Sequence, residues 1–206
     1  KSIISIFDMS YHQLLKIQKP FFSLDDVAYT LGIQPASAAV LCSRYVKKGL
    51  LVRLKRGLYA RTEKLANLDQ EDLFRIANFL QVPSYISLTT ALSYHGLTTQ
   101  VQRGVFESIS LKRTRKFEVS KFTFNYVKIR SDLYKGFERV DDVFIALPEK
   151  ALLDSFYLAS FGRYSFDVSS LDLAKVSTKV YEKLSLPFPP RVRKFMEKCC
   201  GEISET

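Results

Sequence analysis

Seven basic side chains, Arg44, Lys47, Lys48, Arg53, Lys55, Arg56 and Arg61, lie between Asp26 and Glu63 with no carboxylate among them. The chemistry open to such a group is neutralisation of a polyanion, because lysine and arginine displace the counterions condensed on a phosphate backbone. On one helical face they would be preceded by Ala36, Ser37, Ala39, Val40 and Ser43. Small side chains let a helix approach a groove closely, and long cations in its last turn reach phosphate. An ordinary amphipathic helix with a basic C-terminus that complements its dipole has the same composition. The helix alone leaves both readings open.

Positioning these residues requires a compact local fold, and the flanking sequence supplies its signals. Ser10 to Lys19 carries Tyr11, Leu14, Leu15 and Ile17 at helical spacing before Pro20. Ser23 is a good N-cap with Asp26 three residues on, and Phe22 can staple onto Val27. Val27, Ala28 and Leu31 form a buried stripe that Gly32 ends as a left-handed cap. Gln34-Pro35 opens the next helix, whose core face is Ala38, Leu41 with Cys42, and Tyr45 with Val46. Gly49 closes it. Leu50 to Leu54 alternates like a strand, Lys55-Arg56-Gly57 makes a turn, and Leu58 to Ala60 returns. Helix, turn, helix and basic hairpin together spell a winged helix-turn-helix. Its DNA-contacting candidates are Gln34, Ser37, Ser43, Arg44, Lys47, Lys48, Arg53, Lys55 and Arg56.

The rest of the 206-residue chain, with a formal net charge of +10, repeats the basic excess in a second place. Lys112, Arg113, Arg115, Lys116 and Lys121 head a cluster running from Arg103 to Arg139, which reads as a solvated hairpin, a second nucleic-acid contact or a partner surface. Arg61 to Leu68 reads as a linker, giving two domains, 1–62 and 69–206. Within the second, helices are expected at Gln70–Leu80, Leu88–His95 (capped by Ser87) and after Pro148, with Arg191–Cys199 as the last. Strand-like runs occur at Val105–Leu111, Phe122–Ile129 and Asp142–Ala146, the first two separated by the turn-prone KRTRKFEVSK, and Asp141-Asp142 reads as a turn. The fold class expected is α+β: a winged helix-turn-helix followed by a mixed α/β domain with a small antiparallel or mixed sheet and a helical tail.

Three stretches, RLKRGLYAR, ISLTTALSYHGLTTQV and VFIALPEKALLD, resemble in order and spacing the AbiEi family of antitoxin regulators from type IV toxin–antitoxin and phage-abortive systems. The resemblance spans most of residues 20–160 and leaves the tail unplaced. It implies a repressor that binds repeats in its own promoter and counteracts a nucleotidyltransferase-type toxin, AbiEii. It leaves open whether the two proteins touch.

Other classes of function find little support. No G-x-S-x-G, P-loop or G-x-G-x-x-G occurs, no lysine follows an acid by two positions as a restriction-type nuclease would need, and no Gly-Ser turn precedes an Asp-x-Asp pair. His95 reads as a helix-end cap, and Glu149, Lys150 and Asp154 as a helix start rather than a catalytic set. Cys42, Cys199 and Cys200 with His12 and His95 make no zinc spacing, so no metal or cofactor is expected. Free thiols, the lack of a charged-then-apolar leader and the lack of a long apolar run suggest a cytoplasmic protein without a membrane span. The expected function is a DNA-binding repressor and antitoxin, not an enzyme. The alternative is a protein–protein or RNA-binding adaptor that uses the winged helix as scaffold and the basic 103–139 region as its working surface.

Overall fold

The computed structural model describes residues 10–100 and 102–200. The chain is α+β and divides into two compact units, Lys1–Ile76 and Ala77–Thr206. Residue 1 and residue 206, limits of the domains expected from sequence, lie outside the described residues.

In the first unit, α1 is helical over 10–14 and then tightens into a turn instead of continuing to Lys19. Strand β1 (Phe22–Ser23) leads into α2 (Leu24–Leu31), and α3 covers Pro35–Lys47. Strands β2 (Leu51–Lys55) and β3 (Leu58–Arg61) form an antiparallel hairpin, with β1 on the far side of β3. The core joins Leu14, Ile17, Phe22, Val27, Ala38, Cys42, Tyr45, Leu51 and Tyr59, and Tyr11 meets Tyr45 edge-on at 5.4 Å. The segment read as a linker is structured: Arg61 ends β3, and α4 (Thr62–Leu65) follows with Leu65 buried.

The division into units falls within α5 (Gln70–Leu80). The second unit is built on β4 (Ser84–Ile86), β5 (Val105–Ser110), β6 (Arg115–Val119), β7 (Phe122–Lys128), β8 (Phe137–Val140) and β9 (Val143–Ala146). They form one mixed sheet in the order β6-β7-β5-β4-β9-β8, parallel at β5/β7 and β4/β9 and antiparallel elsewhere. This is larger than the small sheet expected, for two reasons. The basic KRTRKFEVSK contains edge strand β6 rather than only a turn, and FERV forms the opposite edge, β8. The turn at Asp141-Asp142 has φ of 44° and 68°, the left-handed pair that a two-residue hairpin loop requires. Helices α6 (Leu88–Tyr94), α7 (Pro148–Ser160), α8 (Thr178–Ser185) and α9 (Pro190–Cys200) complete the unit, and α7 is enclosed almost all round. Among the described residues no helix is long and apolar enough to cross a membrane.

Candidate nucleic-acid interface

The start of α2 is fixed by a capping box. The Ser23 hydroxyl accepts from the Asp26 N–H at 3.1 Å, and the Asp26 carboxylate accepts from the Ser23 N–H at 2.7 Å. Burial pushes the Asp26 carboxyl up, but bonds from Lys19 and Ser23 outweigh it and hold the group below the usual carboxylate range. Gly32 ends the helix at φ 62°, a conformation that a Cβ would strain, and its N–H turns back onto α2. This tight reversal sets the second helix across the first.

Helix α3 opens with Gln34 as N-cap, whose side chain makes no capping bond, and Pro35 in the first turn. Ala38, Cys42 and Tyr45 point inward, and burial pushes the Cys42 thiol up to about 11, so it is a core residue and not a reactive one. The opposite face is open. Ser37, Val40, Ser43, Arg44 and Lys47 are all exposed along it, with Lys48 at the C-cap. Its first turns are small and uncharged and its last turn is basic. Val40 stands in the middle, 53% exposed; its size and apolar character among small, hydroxyl and basic side chains are the signal by which it can be singled out.

The hairpin is tied to α2 at one end and to α3 at the other. Phe22 pairs with Tyr59 and Ser23 with Leu58, and the Leu24 N–H donates to the Gly57 carbonyl at 3.2 Å in the loop itself. At its base, the Thr62 hydroxyl donates to the Gly49 carbonyl at 2.7 Å. The register slips between Arg53 and Lys55, so buried Leu54 turns inward while Arg53 and Arg56 stay exposed and Lys55 is half-buried. Gly57, φ 78°, makes the left-handed step of the turn. Arg61 differs from the other cations of the stretch: it is 5% exposed and donates to the Leu15 carbonyl. Six of the seven basic residues therefore reach solvent.

The second basic group is spread over β6 and its two turns. Arg115 lies over the Phe117 ring at 4.2 Å, Lys116 pairs with Glu118 at 2.6 Å, and Lys121 sits over Phe122. Lys112 and Arg113 are exposed in the turn before β6, where the Arg113 carbonyl accepts from Gln81 at 2.7 Å. An edge strand presents unpaired backbone groups, and lysine there also discourages edge-to-edge pairing.

The remaining motif residues are internal. Lys150 pairs with Asp154, both wholly enclosed, and Asp154 also accepts from the Tyr85 and Ser87 hydroxyls at 2.9 Å. Burial lifts the Asp154 carboxyl and lowers the Lys150 ammonium, each toward its neutral form, while their contact opposes both shifts. Ser87 is the N-cap of α6 by position, but its hydroxyl serves Asp154 instead of capping the helix. The next residue, Leu88, is buried with φ 56°, a strained strand-to-helix turn costing about 1–3 kcal/mol. Glu107 helps hold that turn: its carboxylate accepts from the Thr89 N–H at 3.1 Å and the Tyr164 hydroxyl at 2.7 Å. His95 bonds the Ala146 carbonyl at 2.7 Å, across to β9 instead of down its own helix. Glu149 accepts from the Ser177 N–H at 2.8 Å, well beyond the helix start it was expected to serve. These groups fasten β4, α6, β9 and α7 together.

Residues 10–62 match the family model described as "Transcriptional regulator, AbiEi antitoxin". That segment covers α1 through the hairpin and bears out the resemblance seen in the wing motif; the other two motifs lie beyond it. Among solved structures, the chain is similar to the crystal structure of the RV2827C protein from Mycobacterium tuberculosis, with a TM-score of 0.59 at 16% identity. The alignment covers 90% of this chain and 73% of that one, a likeness of fold alone. A comparison with curated proteins finds no match.

Proposed function

We propose that the first unit is a winged helix-turn-helix that binds duplex DNA, and that the chain is a repressor of its own promoter and the antitoxin of that operon. The observation that carries this reading is the open face of α3 joined to an acid-free basic hairpin, within the segment that matches the regulator family. Gln34 presents an amide and Ser37 and Ser43 short hydroxyls suited to base edges, and Arg44, Lys47 and Lys48 reach phosphates flanking the groove. Arg53, Lys55 and Arg56 hold the adjacent backbone or minor groove. Lysine and arginine supply the affinity, and the small polar residues the sequence preference. Such a protein works where the chromosome is, in the cytoplasm.

Residues 69–206 form the antitoxin part in this reading, with domain 1–62 as the DNA-binding part. Its partner is a nucleotidyltransferase-type toxin, and the exposed cations of the β6 edge, Lys112, Arg113, Arg115, Lys116 and Lys121, are its candidate docking residues. The same edge favours the second reading, an adaptor whose working surface is this basic strand. Binding of the purified chain to the DNA upstream of its own gene separates the two. The repressor reading expects tighter binding there than to unrelated duplex of equal length, and equal or absent binding contradicts it.

A further inference from the structure

We infer that Val40 is a specificity-determining residue that packs on the 5-methyl group of a thymine in the major groove; this rests on the DNA-reading role of α3. Val40 occupies the centre of the helix's open stripe, one turn after Ser37 and one turn before Arg44. It is 53% exposed, whereas the core face of the same helix, Ala38, Cys42 and Tyr45, is closed. Helix formation does not call for a valine there, since a β-branched residue lowers helix propensity relative to alanine. Packing within the unit does not account for the exposed part of the side chain. What distinguishes the position is its neighbourhood: Ala36 and Ala39 are small, Ser37 and Ser43 carry hydroxyls and Arg44 and Lys47 carry charge, so Val40 is the large apolar side chain of that face.

The base edges of the major groove offer one apolar group, the thymine methyl. When the stripe enters the groove, Val40 loses water on its exposed side, and the free energy of that loss is favourable only against an apolar surface. Opposite a cytosine it would meet an amino group and leave that donor unpaired. Valine at this place therefore selects thymine by attraction and disfavours cytosine by desolvation, in a way the hydroxyls of Ser37 and Ser43 cannot.

The test uses the full chain and duplexes selected by it from a random-sequence library. Each thymine of the selected sequence is replaced singly by uracil, which removes the methyl and keeps the base pairing. For the unaltered protein at least one replacement weakens binding about fourfold, the worth of one buried methyl group. In Val40→Ala that penalty disappears at the same position, other replacements act as before, and the salt dependence of binding is unchanged. Val40→Thr, which keeps one of the two methyl groups, retains part of the penalty and serves as the second variant should the first lose its fold. Duplex selection without any sensitivity to uracil, or a full penalty surviving in Val40→Ala, overturns the assignment. Failure to select any duplex overturns the DNA-reading role itself, and Val40's with it.

Discussion

Arg56 and Arg61 carry the same charge five residues apart, yet one is exposed at the hairpin turn and the other is 5% exposed against the Leu15 carbonyl. Arg56→Ala is therefore expected to weaken DNA binding about equally for all sequences, and unchanged affinity would remove the wing from the interface. Ser37→Ala or Ser43→Ala should instead shift sequence preference, by about 1–3 kcal/mol where the hydroxyl reaches a base edge. Inside the second unit the effects are on stability. Lys150→Ala leaves the Asp154 carboxylate enclosed without its cation, and should cost about 3–5 kcal/mol in denaturant unfolding. Burial lifts the Glu107 carboxyl above its ordinary value of 4.5, against the bonds from Tyr164 and from the Thr89 and Thr90 groups. A raised carboxyl contributes stability that is complete below its unfolded value and is lost as pH rises through the folded one. Glu107→Gln removes that loss, so its melting temperature should gain on the wild type as pH climbs above 4.5; a pH-independent difference would contradict the assignment.

At the level of elements, what can be read from sequence follows the range of the forces that shape each one. Helix α2 has its cap, its stripe and its terminal glycine within ten residues, and so does the hairpin with its glycine turn. Ser23→Ala removes the capping bond and is expected to cost about 1 kcal/mol, measured by unfolding of the full chain. Strands β6 and β8 have no such local signature. Arg115, Lys116 and Glu118 dominate β6, and only pairing with β7 makes the segment extended. The buried charges of α7 were equally hidden: Asp154 is satisfied by Tyr85 and Ser87, 69 and 67 residues away, and no short window of sequence contains both ends. Ser87, His95 and Glu149 look like helix-end residues for the same reason, although each bonds a distant element. On the open face of α3 the opposite holds. Helical spacing alone separates Ala38, Cys42 and Tyr45 from Ser37, Ser43, Arg44 and Lys47, and the observed burial follows that division.

The whole molecule combines a basic first unit with a second unit in which Lys150, Asp154, Glu107, His95 and Glu149 are tied up in structural bonds. In the proposed reading the first determines where on DNA the chain sits, and the second acts on a toxin. Co-expression with a neighbouring nucleotidyltransferase gene tests the second part: the full chain should protect the cell, and protection that survives deletion of residues 69–206 would contradict it. In the same reading the solvent-reaching cations of α3 and the hairpin hold duplex DNA through its phosphates. Arg44, Lys47, Lys48, Arg53, Lys55 and Arg56 bound the number of contacts, with Arg61 taken out by burial. Titration of binding to the upstream DNA against salt tests this most directly. Four to six neutralised phosphates predict a slope of log K on log salt of about −4 to −5; a flat line, or no binding, would contradict the account.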